Sequence, residues 1–277
     1  MAFGKPVGRC IYCGLDGGPE GLSDEHIVAF CLGVNAYLPQ ASCLACAKKT
    51  SYLEGYAGRQ IFGPLRVHFR IQSRRKKIEL APLDVAFQTD QGEEIRRLPR
   101  ERLPPILSLP ILEPPGLFHD RAPSPIENNL WWTWVADNRE AYMKEFLKPG
   151  DQHWEIRRSD KPIVFARMLA KIAHALAVAR LGVDSFKPFL PPLILGENDN
   201  AAYLIGGAAP PTDPLPAIPY SDKTHHHTLT LTMMSSPGKP DLIVVTIRLF
   251  LHIGSPTYYV IAGEALPAGP SCANSAG

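Results

Sequence analysis

Apolar residues recur at helical spacing along Phe165, Met168, Leu169, Ile172 and Leu176, which predicts a helix from Pro162 to Leu181. Pro162 suits the first turn and Gly182 ends it. Arg167, Lys171 and His174 fall on the opposite stripe, which the pattern assigns to a solvated or interdomain face. A shorter helix is expected over Asn138 to Leu147, and another from near Cys43 through Lys48 and Leu53 towards Tyr56, with Gly55 and Gly58 weakening its end. Then the period falls to two. Val67-His68-Phe69-Arg70-Ile71-Gln72 alternates as a half-exposed strand would, turning through Arg74-Arg75-Lys76-Lys77 into Ile78-Glu79-Leu80, with Asp84 to Thr89 continuing the hairpin. The final third reads as an antiparallel meander of Thr228 to Met233, Leu242 to Ile253 and Thr257 to Ala262, separated by Ser-Pro-Gly-Lys-Pro and Gly-Ser-Pro turns.

Prolines at 99, 104, 105, 110, 114, 115, 123 and 125 forbid a long regular element there and predict an extended crossing segment. Beyond it the aromatic run Asn129-Leu130-Trp131-Trp132-Thr133-Trp134 has no interleaved basic residues, so it reads as core in preference to a base-stacking platform. The chain is therefore of the α+β class, with a first module over residues 1–78 and a larger mixed α+β domain over 79–277 that ends in the meander.

Composition narrows this picture. The 277 residues are 45% hydrophobic and 20% charged, as in an ordinary globular chain, and 28 prolines with 22 glycines predict many short elements. No apolar run reads as a membrane span and the first residues lack a signal-peptide core, so a reducing cytoplasm is the expected setting. Closely paired cysteines there are metal ligands in preference to disulfides. Cys31 and Cys272 are left over, the first as a small core residue. His225-His226-His227 would alternate between the two faces of a strand, which argues against a three-ligand site. The formal charge is +2, but residues 1–78 hold 11 Lys/Arg against 5 Asp/Glu, a net of +6. Even with two charges subtracted for a four-thiolate zinc, that module stays basic, as a phosphate backbone would require.

The chemistry concentrates near the N-terminus. Cys10-x-x-Cys13 and Cys43-x-x-Cys46 are two turns of the kind that take adjacent corners of a tetrahedral Zn²⁺, and they bracket Asp24-Glu25-His26. An acid beside a histidine in a loop held at both ends is the pairing that grips a divalent cation and activates a water next to it. Cys-Ile-Tyr-Cys-Gly (10–14), Leu-Ser-Asp-Glu-His-Ile-Val (22–28), Ala-Ser-Cys-Leu-Ala-Cys (41–46) and Tyr-Leu-Glu-Gly-Tyr (52–56) together resemble the four-cysteine zinc branch of the HNH endonucleases, over residues 8 to about 60. The resemblance implies a zinc-stapled ββα-metal module and a metal-dependent hydrolysis of phosphodiester bonds. In it His26 would take the proton from the attacking water, and Glu25 would ligand Mg²⁺ or Mn²⁺, which offsets charge on the transition state.

One position departs from that pattern. Ala47 stands where the family places its second metal ligand, and a methyl group binds no magnesium. Ala47, Thr50, Ser51 and Glu54 share one helix face, so Glu54 is the expected substitute carboxylate, with Asn35 as the asparagine that braces the loop. Lys48, Lys49, Arg59, Arg66, Arg70, Arg74, Arg75, Lys76 and Lys77 are the candidate nucleic-acid contacts, although the same residues also suit a solvated face. Three functions follow: an endonuclease acting on DNA, with RNA open as a substrate; a zinc-stabilised nucleic-acid binder whose nuclease site has decayed; or a zinc scaffold for protein contacts.

Overall fold

A computed structural model describes residues 1–71, 82–127, 130–135, 138–157, 161–208 and 227–266. The first module opens with β1 (Leu22–His26) paired antiparallel to β2 (Tyr37–Cys43), and α1 (Leu44–Tyr56) follows β2 without a break. The pairing is irregular between Ser23 and Glu25: Ser23 faces Ser42 while Glu25 faces Leu38, so Pro39, Gln40 and Ala41 bulge opposite Asp24. Gln40 takes a left-handed φ of 48° in the bulge, and its N–H is received by Asp24 Oδ1 at 3.2 Å. The bulge breaks the strand's alternation, leaving Ser23 and Asp24 outside and turning Glu25 inward.

The helix expected near Cys43 is present, and its glycines do not end it. A π-turn at Ala57–Ile61 carries α1 on, and α2 (Gly63–His68) begins with proline in its first turn. Gly58 serves close approach: a Cβ there would lie 2.7 Å from Cys31 Sγ. The strand predicted over residues 67–72 is a misreading, because Val67 and His68 close α2 and Arg70 turns with φ 51°. A few alternating residues cannot be distinguished from one helical turn by pattern alone. Residues 72–81, which hold the predicted charged turn and returning strand, lie outside the described residues, as do His225, His226 and Cys272.

Next come β3 (Leu83–Thr89), β4 (Gly92–Leu98), β5 (Ile106–Pro110), β6 (Leu130–Trp134), α3 (Arg139–Phe146) and β7 (Asp151–Arg157). The strands β4-β3-β7 form a small antiparallel sheet whose Val85 and Phe87 pack with Leu103 and with Phe146 of α3. Strands β5 and β6 pair alone. Trp131 packs against the main hydrophobic cluster, but Trp132 is more than half exposed and Trp134 only partly covered, so the run belongs to the core it was read as only in part.

The predicted long helix is α4 (Pro162–Leu181), followed by β8 (Phe186–Pro188), α5 (Pro191–Ile194), α6 (Ala201–Leu204), β9 (Ile205–Ala208), β10 (Thr228–Ser236), β11 (Lys239–Arg248) and β12 (Thr257–Ala265). The last three strands form the expected meander, extended by β8 and β9, both paired with β12. Gly206 on β9 leaves room for the proline-rich crossing segment, whose Pro115 would lie 2.3 Å from a Cβ at that position. By length and composition α4 could cross a membrane, contrary to the sequence expectation. It is instead buried on nearly every side, against α1, β11 and β12. One hydrophobic cluster runs from Cys10 through α1 and α4 to Ala262, so the two ends of the chain share a core.

Candidate metal centre and the buried carboxylate pair

Cys10 and Cys13 lie on a turn closed by hydrogen bonds from Gly14 N to Cys10 O at 2.9 Å and from Cys10 N to Leu15 O at 2.7 Å. Ile11 N donates to Ala41 O at 2.8 Å and docks the turn on β2. Cys43 ends β2 at the N-cap of α1, where Ser or Asp would be usual, and Cys46 sits in the first helical turn. A helix N-terminus stabilises negative charge, which offsets part of the cost of burying thiolates there. All four sulfurs lie within 4.8 Å of one another, and Cys13 Sγ and Cys43 Sγ are 3.7 Å apart. Four thiolates about 2.3 Å from zinc have tetrahedral edges of about 3.8 Å, so the donors fit a closed structural Zn²⁺ site. Burial, then the charge on Cys10, pushes the Cys46 thiol well above its ordinary range, so a cation is needed to hold the set ionised.

The second group lies behind this site. Glu25 of β1 is 4% exposed, and its Oε2 accepts from Thr50 Oγ1 of α1 at 3.3 Å. Glu54, one helical turn further on, points to the same place, so the predicted face of α1 does bring a second carboxylate towards Glu25. The point on which they converge is the ammonium of Lys171 from α4. Its Nζ stands 3.0 Å from Glu25 Oε1 and 2.6 Å from Glu54 Oε1, and it also donates to the carbonyl oxygen of His26. An ammonium has three donors, and here three acceptors take them. Burial would pull the Lys171 pKa down, but Glu54 and then Glu25 hold it above its ordinary value, so the group stays charged. Tyr12 is buried at the same place; burial, then Glu25 and Glu54, keeps its phenol neutral.

Lys171 and His174 are thus not on a solvated face: both are at most 1% exposed. His174 Nε2 donates to Ile11 O at 2.6 Å, inside the first cysteine turn, and burial pulls the ring down to about 4. Arg167, the third member of that stripe, reaches Asp199 and the carbonyl of Asn198. The sequence did carry a signal for this. Only Arg167, Lys171, His174 and Arg180 are ionisable among the twenty residues of α4, and Lys171 sits among alanines that let other elements approach closely.

The divalent cation implied by the resemblance does not fit this arrangement. Glu25 and Glu54 each give one oxygen to Lys171, the other oxygen of Glu25 accepts from Thr50, and Glu25, Thr50 and Lys171 are all buried. His26 faces the other way, partly exposed, with its ring centroid 6.3 Å from those of Phe30 and Tyr37. Asn35 is exposed in the loop before β2, and its carbonyl accepts from the N-terminal ammonium. Cys31 is buried enough for its thiol to be pushed up to about 11, consistent with an unreactive packing residue.

Of the candidate nucleic-acid contacts, Lys48, Lys49, Arg59 and Arg70 are exposed, Lys49 also reaching Leu195 O at 3.0 Å. Arg66 is a correction: it is 5% exposed, and its guanidinium is spent on Gly58 O at 2.9 Å. Arg74, Arg75, Lys76 and Lys77 lie outside the described residues. Tyr52, 52% exposed on α1, stands three and four residues from Lys49 and Lys48 and so shares their face. Comparison of the chain with protein-family models, curated proteins and solved structures gives no match, so the reading of this site rests on its own residues and distances.

Proposed function

We propose that the chain is a zinc-stapled protein of the HNH type that binds nucleic acid, DNA first, without cutting it at this site. The observation that carries this reading is the Lys171 ammonium between Glu25 and Glu54. A one-metal hydrolysis needs a divalent cation open to a phosphate oxygen. Here the two carboxylates face a saturated, buried lysine that presents no donor to a substrate. The ββα order, with the hairpin β1–β2 leading into α1 between two cysteine pairs, favours an HNH origin. Lys48, Lys49 and Tyr52 on one exposed face of α1 supply the charge and the stacking surface that a nucleic-acid backbone and its bases use.

A second reading, an active endonuclease with His26 as base and Glu25 and Glu54 on Mg²⁺ or Mn²⁺, has one observation in its favour: both carboxylates do point to one place, at the backbone carbonyl of His26. One experiment separates the two. Zinc-loaded wild type and His26→Ala are incubated with plasmid and Mg²⁺ or Mn²⁺, and duplex affinity is titrated at several salt concentrations. The binder shows no nicking above buffer in either protein, and an affinity that falls with salt by roughly one log-log unit per phosphate contact, less steeply in a Lys48→Ala/Lys49→Ala variant. Nicking by wild type that His26→Ala abolishes establishes the nuclease instead. Absence of any salt-dependent affinity leaves the protein-contact scaffold.

A further inference from the structure

The oxygens around Lys171 are those of part of a metal ion's coordination shell, with an ammonium as the occupant. Two carboxylate oxygens and one backbone carbonyl oxygen surround a single positive centre, and Thr50 Oγ1 steadies the far oxygen of Glu25 at 3.3 Å. The donors are all oxygen and two of the three are charged, the set that suits a hard divalent cation. Formal charge at the cage is −2 from Glu25 and Glu54 and +1 from Lys171. The cage is assembled from β1 and α1, whereas its cation arrives from more than a hundred residues away on α4.

We propose that Lys171 is a tethered replacement for a divalent cation, and that the Glu25–Glu54 cage becomes a binding site for free Mn²⁺ or Mg²⁺ once the ammonium is removed. Deleting the side chain beyond Cβ leaves the buried carboxylate of Glu25 and the partly exposed one of Glu54 facing the volume it filled. Uncompensated buried charge of that kind is strongly destabilising, so the cage must take a cation, protonate or open. Ion binding to the folded form then stabilises the fold by mass action. The inference rests on the reading that Lys171 occupies the cation place, and is independent of whether nucleic acid binds.

The test uses the full-length, zinc-loaded chain as wild type, Lys171→Ala, Lys171→Met, and Lys171→Ala/Glu54→Gln. Manganese uptake is read from the loss of the free-ion EPR signal, and thermal stability is measured with and without Mn²⁺. Lys171→Ala takes one Mn²⁺ per chain and melts higher in its presence. Wild type takes none, and Lys171→Met, whose apolar chain refills the space, takes none. In the double variant Mn²⁺ affinity falls at least tenfold. A Lys171→Ala chain that folds only when Mn²⁺ is supplied supports the proposal equally. It is overturned if Lys171→Ala, folded or not, gains no Mn²⁺ over wild type, or if wild type itself takes Mn²⁺ in a Glu54-dependent way. DNA affinity measured on the same wild-type preparation decides the functional reading separately, since metal uptake by the variants does not depend on it.

Discussion

At the scale of the residue, His174 sets a pH dependence that no surface histidine would. Its ring is buried with Nε2–H on the carbonyl of Ile11, and burial holds its pKa at about 4, against 6.5 for a free imidazole. The folded value is lower than the unfolded one, so between these limits the unfolded chain binds the extra proton. The contribution is fully present above pH 6.5 and is lost as pH falls towards 4. Urea unfolding at pH 5 should show about 2 kcal/mol less stability from this group than at pH 7. His174→Gln keeps an N–H donor and cannot titrate, so its stability should not fall in that way; an unchanged pH slope in the variant would place the effect elsewhere. The apolar period alone did not mark His174 or Lys171 as buried; only the scarcity of ionisable residues in α4 and the alanines around Lys171 hinted at it. A periodic pattern treats polar residues as outward-facing, and the partners that let these two lie inside, Ile11, Glu25, His26 and Glu54, are more than a hundred positions away. The cysteine pairs and Glu25-His26 were legible because their chemistry is written in short spacings.

Elements were read well where they were long or sharply bounded. Helix α4, helix α3 with its Asn138 cap, and the meander β10–β12 all stand where apolar period and turn residues placed them. Helix α1 also ends at Tyr56 as expected, but its continuation through the π-turn into α2 was not read, because Gly58 and Gly63-Pro64 are residues that usually end a helix. Gly58 is there for packing: an added Cβ meets Cys31 Sγ at 2.7 Å and Arg66 Nη1 at 3.2 Å. In an exposed helix Gly→Ala adds about 1 kcal/mol of stability, whereas forcing a methyl into a filled site costs about 1–3 kcal/mol. The clash prevails, since Gly58, Arg66 and Leu65 are all buried. Gly58→Ala is expected to lower the stability measured by denaturant unfolding by about 1–2 kcal/mol. Adding Cys31→Ala should recover most of that loss, giving a coupling between two residues far apart in sequence. Additive losses in the double variant would mean that the sulfur is not what the new methyl meets.

Over the whole molecule, the first module and the rest are joined by polar contacts that only make sense together. Among the described residues, Lys171 and His174 of α4 are neutralised or bonded by residues of the first module, and Lys49 reaches Leu195 while His227 bonds Leu32 O at 2.9 Å. Suppose the four-cysteine site is left without a metal and its turns open. Ile11, Glu25 and Glu54 then leave their places, and α4 is left with a charged lysine and an unbonded imidazole inside an apolar core, a situation worth several kcal/mol against it. A domain is stable by only about 5–15 kcal/mol, and structural zinc at a four-cysteine site contributes on a similar scale. The C-terminal meander packs on α4 and shares its hydrophobic cluster, so it has no reason to persist once α4 is released. Titrating a strong chelator should therefore give one transition. The helical far-UV signal, to which α4 contributes the longest helix, and the fluorescence of the four tryptophans, all beyond residue 130, should fall together and return together when zinc is restored. If chelation removes part of the helical signal while tryptophan fluorescence and the remaining helix are unmoved, the metal module unfolds by itself, and the buried ammonium is not the joint that binds the two ends of the chain into one cooperative unit.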